Sequence, residues 1–287
     1  MSQKPNHIAV DDLPHWSPWP ARLLGVEAFA SVKRDKAKVQ AEYSDDKWQK
    51  CHDAFIASDG KMDAQALRSL SYDISNHKPR ASVQHGQLVE ATNAEIMAAY
   101  DAVLCQAMEP AMAEAATVVE LGSSFGHIMW MLRKAFPRPN YRGGDYAESA
   151  VALAGQLYRG LDNISVSKFD FYAPRYDIIE NAKGPIVVYT SQALEQIPTS
   201  AGVIETLSRY RDKISRVFHL EPAYALYEDG SLLGLMRQRY IEINDYNRDL
   251  IPTLAKRPDV EILRQDANII GWNPFNALAL TEWRFKS

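Results

Sequence analysis

Apolar positions follow two rhythms along this chain. From about Leu23 to Leu70 they recur at helical spacing among many charges, as in AEYSDDKWQKCHDAF, and predict helices. The segment SNHKPRASVQHG, Ser75 to Gly86, interrupts that spacing and reads as a loop. A second helix is expected from about Glu90 through Met108, ending near Pro110. The first 20 residues hold four prolines and two tryptophans, which predicts an extended arm laid on the surface. The N-terminal third is therefore expected to be all-helical.

After it the rhythm shortens. TVVELG is a β-branched run followed by a helical stretch from about Phe125 to Phe136. NYRGGDY, ISVSKF (ending at Asp170), PIVVYTS and RVFHLEP repeat the strand pattern, with helical segments between them, the last from about Thr199 to Lys213. A long amphipathic segment, LLGLMRQRYIEINDYNRDLIPTLAK, follows, and the chain closes with VEILRQDANII and ALALTEWRF around GWNPFN, the pattern of a hairpin. Short strands alternating with helices predict an α/β fold whose parallel sheet is covered on both faces.

Composition narrows the function classes. The chain has 287 residues, 46% hydrophobic and 24% charged, as in ordinary globular proteins. A net charge of -4 gives no global basic field for nucleic acid. KRDKAK, Lys33 to Lys38, is flanked by acids and reads as a solvated face. Cys51 and Cys105 suggest neither a metal site nor a disulfide framework, so a reducing, cytoplasmic setting is expected. The polar start MSQKPNHIAVDD has no apolar signal core, and no stretch approaches the ~18 apolar residues of a membrane span.

The stretch VVELGSSFGH places a carboxylate, a small-residue turn and a histidine at the end of the first strand. In a doubly wound sheet ligands bind there, and small residues let the backbone approach them. Neither the G-x-G-x-x-G dinucleotide fingerprint nor a G-x-x-x-x-G-K-[ST] phosphate loop is present. The stretch resembles the first motif of class I S-adenosylmethionine-dependent methyltransferases, roughly E/D-x-G-x-G-x-G. Glu120, Gly122 and Gly126 match, while Ser124 departs from the middle glycine. YRGGDYAES resembles the second motif, SKFDFYAP the third, and IVVYTSQALEQIP the fourth strand with its active-site loop.

The resemblance covers about Glu109 to Lys286. It implies a seven-stranded Rossmann-like sheet in which ALALTEWRF inserts antiparallel between the fifth and sixth strands. Residues 1–108 would form an arm and helical cap, and 109–287 the core, with an insertion at about 223–258. It implies S-adenosylmethionine as cofactor. Gly122, Ser123, Ser124 and Gly126 would make room for its methionine moiety, Glu120 would order the turn or meet the ligand's amino group, and Asp145 beside Tyr146 would take the ribose hydroxyls. Asp170 and Phe171 would meet the adenine, with Ser191 at the fourth strand's end.

The acceptor chemistry is less specified. A hydroxyl nucleophile benefits from a general base, most often histidine. His219 and Glu221 share a side of the fifth strand, where one can orient the other, and His127 is the further candidate. Glu195 reads as satisfying helix backbone donors. Tyr189 and Gln192 after the fourth strand, with Arg237 and Tyr240 of the insertion, are the expected acceptor contacts. No metal is expected, because YTSQALEQ lacks the aspartate that catechol-type enzymes use. The expected activity is methyl transfer to a small-molecule hydroxyl on a sugar or natural product, by a protein that can form a homo-oligomer. Alternatives are N- or carboxyl-methylation of an amino acid, peptide or natural product, and a non-catalytic cofactor-binding partner subunit.

Overall fold

The β-branched runs after residue 116 form the strands that their composition predicts, and a computed structural model, which describes residues 6–286, assembles them into one mixed sheet. In chain order the strands are β1 (Arg80–Gln84), β2 (Gln87–Ala91), β3 (Thr117–Leu121), β4 (Asn140–Asp145), β5 (Ile164–Lys168), β6 (Ile186–Ser191), β7 (Ile214–Pro222), β8 (Val260–Gly271) and β9 (Leu278–Phe285). Their order in space is β2-β1-β8-β9-β7-β6-β3-β4-β5. β3 pairs in parallel with β4 and β6, β4 with β5, and β6 with β7. β9 runs antiparallel between β7 and β8, where the closing hairpin was expected to insert.

Alternation along the strands divides the core between the two faces. Val118, Val187 and Phe218 pack on one side under the helices Asn93–Met112, His127–Ala135 and Glu148–Leu157. Val119, Val188 and Val217 pack on the other under Ala201–Ser208 and Leu250–Ala255. Strands buried on both faces explain the near-continuous apolar reading of TVVEL and IVVYT.

The sheet has nine strands, not seven, and the N-terminal third is not all-helical. The expected loop from Ser75 to Gly86 contains β1, and His85 and Gly86, both at positive φ (47° and 80°), turn the chain into β2. Ala81, Val83 and Leu88 are buried with Leu13 and Phe275, and β1 joins the sheet by pairing Val83 with Gly271 of β8. The expected extended arm is a series of short helical turns, Val10–Asp12, Leu13–Trp16 and Trp19–Leu23, and its first five residues lie outside the described ones. Pro14 and Pro20 fall in first turns, where the missing N–H breaks no bond.

Residues 24–35 carry no helix. The helical run begins at Lys36, passes through an eight-residue π-helical stretch, Gln40–Lys47, and continues as Trp48–Ala57. A capping box between Thr92 and Glu95 starts the helix Asn93–Met112, whose last turn contains Pro110. The insertion after β7 forms Leu232–Ile243 and Leu250–Ala255. Among the described residues no helix is long and apolar enough to cross a membrane.

Candidate active site

The carboxyl ends of β3, β4 and β6 open onto a cleft of about 1180 Å³. Pockets for one small ligand typically span ~300–1,000 Å³, and this cleft is larger than that range. The turn after β3 forms its floor, with Gly122, Ser124 and Gly126 all at left-handed φ (79°, 50° and 81°). A Cβ on Gly122 would lie 2.4 Å from the Cβ of Ala193, on the loop after β6. A Cβ on Gly126 would meet Met129, Tyr158 and Val166 at about 3 Å, and Gly126 does not line the cleft. Both glycines are thus required first by protein packing, which corrects the expectation that Gly126 makes room for a ligand.

Asp145 holds this turn. Its carboxylate accepts from the backbone N–H of Ser124 at 2.6 Å and of Ala147 at 2.8 Å. Burial pushes its pKa up, and these donors pull it back. The paired glycines before it are also structural, since a Cβ on Gly143 would lie 2.5 Å from Ser123 Oγ and one on Gly144 2.6 Å from Phe169 Cβ.

The other expected cofactor residues converge. Glu120, Gly122, Ser123 and Ser124 line the cleft at the turn, Tyr146 beside Asp145, and Asp170 with Phe171 at one end. Ser191 lines it too, its hydroxyl bonded to the Tyr100 hydroxyl. Asp170 already has partners: Lys36 Nζ at 2.8 Å and the N–H of Tyr172. Glu120 Oε2, Ser124 Oγ and His127 Nδ1 are buried along the cleft without a hydrogen-bond partner. Burial pushes the Glu120 carboxyl well above, and the His127 imidazole well below, their ordinary ranges. Unpartnered buried polar atoms carry a desolvation cost that a bound polar ligand removes.

The expected base does not reach this cleft. His219 is fully buried inside the sheet, bonded through Nδ1 to Thr190 Oγ1 at 2.9 Å and stacked near Trp283. Burial pushes its pKa down to about 3, so the ring is neutral. Glu221 accepts the backbone N–H groups of Ala193, Leu194 and Glu195 at 3.0, 3.1 and 3.3 Å. It therefore does the backbone-capping work expected of Glu195, and neither His219 nor Glu221 lines the cleft.

Glu195 does line it, a position the sequence reading missed. Gln196 Nε2 donates to its Oε1 at 2.8 Å and Asn276 Nδ2 to its Oε2 at 3.2 Å. Burial, reinforced by the charge of Glu221, pushes its pKa up to about 8. A usable signal existed: two carboxylates cannot both take the same few N–H groups, so one had to be free for another role.

Of the expected acceptor contacts, only Gln192 lines the cleft. Tyr189 is fully buried beside Glu120. Arg237 is buried and donates through Nε to the carbonyl of Pro274 at 2.9 Å. Tyr240 packs edge-on against Trp19 and stacks near Phe275. The last two act beneath the 272–276 loop because their helix turns its apolar side to the β1–β2 hairpin. In their place the cleft wall carries Tyr43, Lys47, Trp48 and Tyr72, from segments outside every recognised motif, and Trp272 of the GWNPFN turn.

No family model and no curated protein sequence matches this chain. Solved structures do. The magnesium protoporphyrin IX methyltransferase of Synechocystis PCC 6803, solved with bound SAH, is 13% identical, with a TM-score of 0.51 over 88% of this chain and 100% of that one. A plantazolicin methyltransferase in complex with SAH and a triazolic analogue is 14% identical, with a TM-score of 0.43 over 67% of this chain and 85% of that one. The strand order, the antiparallel β9 and the first of these likenesses establish that the chain has the class I S-adenosylmethionine-dependent methyltransferase fold.

Proposed function

We propose that the protein transfers a methyl group from S-adenosylmethionine to a hydroxyl of a small molecule, a natural-product intermediate or a sugar. The observation that carries this reading is the convergence of Glu120, Gly122, Ser123, Ser124, Asp145, Tyr146, Asp170, Phe171 and Ser191 on one cleft larger than pockets for one small ligand typically are. Asp145 would hold the ribose, Phe171 would pack on the adenine, and the turn after β3 would carry the methionine moiety, with Glu120 and Ser124 taking up its polar groups. The bound cofactor supplies an electrophilic methyl group, so the protein's main task is alignment of the acceptor.

Glu195 is the base in this reading. It faces the cleft from the loop after β6, and a carboxyl with a pKa near 8 is matched to taking the proton of a hydroxyl as the new bond forms. N- and carboxyl-methylation need alignment without this proton transfer, and a non-catalytic subunit would bind cofactor and turn over nothing. Both cysteines are free, consistent with a cytoplasmic protein. The net charge of -4 argues against nucleic acid as acceptor. Incubation with methyl-labelled S-adenosylmethionine and a panel of hydroxy, amino and carboxylic acceptors tests the reading by mass shift. Label found only on amines or carboxylates would overturn the hydroxyl assignment, and cofactor binding without label on any acceptor would favour the non-catalytic subunit.

A further inference from the structure

Lys47 stands at the end of the π-helical stretch and lines the cleft. Its Nζ lies 4.5 Å from the ring centre of Trp48, 5.2 Å from Tyr72 and 5.8 Å from Tyr43. Tyr72 stacks on Trp272 at 5.1 Å, which extends the aromatic wall. Among the described residues no carboxylate pairs with Lys47, although its neighbours on the same run are paired: Lys36 with Asp170, Lys38 with Glu42, Lys50 with Asp46. The same wall carries His127, whose Nδ1 has no partner and whose imidazole is held well below its ordinary range by burial. Aromatic faces hold an ammonium in place but leave its hydrogen-bond donors unsatisfied. A half-buried, unpaired cation among rings therefore attracts an anion more strongly than an exposed lysine does.

We propose that Lys47 and its ring of aromatic side chains form a carboxylate receptor inside the cleft. The proposal rests on the methyltransferase reading of that cleft for what enters it. Two carboxylates fit the chemistry: that of the cofactor's own methionine moiety, and that of a planar acid bound as acceptor beside the aromatic wall. The receptor is the same in either case, and its source is decided by which ligand loses affinity.

The experiment uses full-length protein and calorimetry at equilibrium. The ligands are SAH, methylthioadenosine (the same nucleoside without the amino acid), salicylate, and methyl salicylate. The variants are Lys47→Met, Lys47→Arg and, as a control outside the cleft, Lys50→Met, each first checked for an unchanged melting temperature. If the cofactor supplies the carboxylate, Lys47→Met weakens SAH by about tenfold or more and leaves methylthioadenosine unchanged. If the acceptor supplies it, SAH is unchanged, and the preference of the SAH-loaded protein for salicylate over its ester disappears. Lys47→Arg retains most of either effect. Unchanged SAH affinity together with no preference for salicylate in the wild type, or a preference that survives Lys47→Met, overturns the proposal. Failure of SAH to bind the wild type would instead count against the methyltransferase reading, while loss of salicylate binding in Lys47→Met would still support the receptor.

Discussion

Replacing Gly122 with alanine places an atom where the loop after β6 already is. The new Cβ would lie 2.4 Å from Ala193 Cβ, against a normal contact near 4 Å, and 3.6 Å from Phe171 Cε2. The backbone there is left-handed at φ 79°, which costs an L-residue roughly 1–2 kcal/mol. Overpacking a rigid contact adds roughly 1–3 kcal/mol. The expected loss is about 2–5 kcal/mol, which for a chain of this size lowers Tm by roughly 3–8 °C. Thermal melts followed by circular dichroism measure it. The double variant with Ala193→Gly removes the clashing atom and leaves the nearest backbone at 3.6 Å, so it should recover the packing share and keep the backbone share. If Gly122→Ala melts within about a degree of wild type, as a neutral surface change would, the close approach of the two loops is not real. A double variant no better than the single one would assign the whole loss to the backbone.

Three further outcomes follow from the site. Glu195→Gln should lower turnover by ~10²–10⁴-fold with SAH affinity unchanged. Wild-type turnover should rise with pH through about 8, because the base works deprotonated, and that limb should vanish in the variant. Asp145→Ala should weaken SAH by roughly 1.5–3 kcal/mol in calorimetry, since it would remove the proposed ribose partner and release the Ser124 N–H. His219 is neutral when folded, with its pKa held down to about 3. Unfolding lets it take up a proton below its ordinary value near 6.5, so it contributes stability that is lost as pH falls from about 6.5 towards 3. Denaturant melts of His219→Gln across that window should show a shallower acid decline than wild type, with turnover at neutral pH changed far less than in Glu195→Gln.

The parallel half of the fold was legible because β3, β5, β6 and β7 carry β-branched residues and each helix its own spacing, while β4, NYRGGD, has none and stood out only by its place between two helical stretches. The closing hairpin was legible for the same reason, since ALALTEWRF can be read without its partner. β1 and β2 were not, because RASVQ and QLVEA are short, QLVEA does not alternate between polar and apolar positions, and the His85–Gly86 turn lacks the asparagine or aspartate that marks tight hairpins. That a cleft lies at the ends of β3, β4 and β6 was legible, because ligand sites in such sheets follow the strand ends. The burial of His219 and Glu221 away from the cleft was not, because strand alternation puts both on one side without saying whether that side faces the cleft or Trp283. Which of two nearby carboxylates caps the loop and which faces the cleft is settled only by three-dimensional packing, and it exchanged the roles of Glu221 and Glu195. The wall of Tyr43, Lys47, Trp48 and Tyr72 comes from helical runs whose aromatic residues read equally well as core.

The central claim is that the cleft at the ends of β3, β4 and β6 is built for S-adenosylmethionine. Calorimetric titration of the wild-type protein with SAH, and separately with NAD, tests it most directly. The account predicts saturable one-to-one binding of SAH, weakened by Asp145→Ala, and no heat of binding for NAD. Binding of NAD without SAH, or of neither, would contradict it.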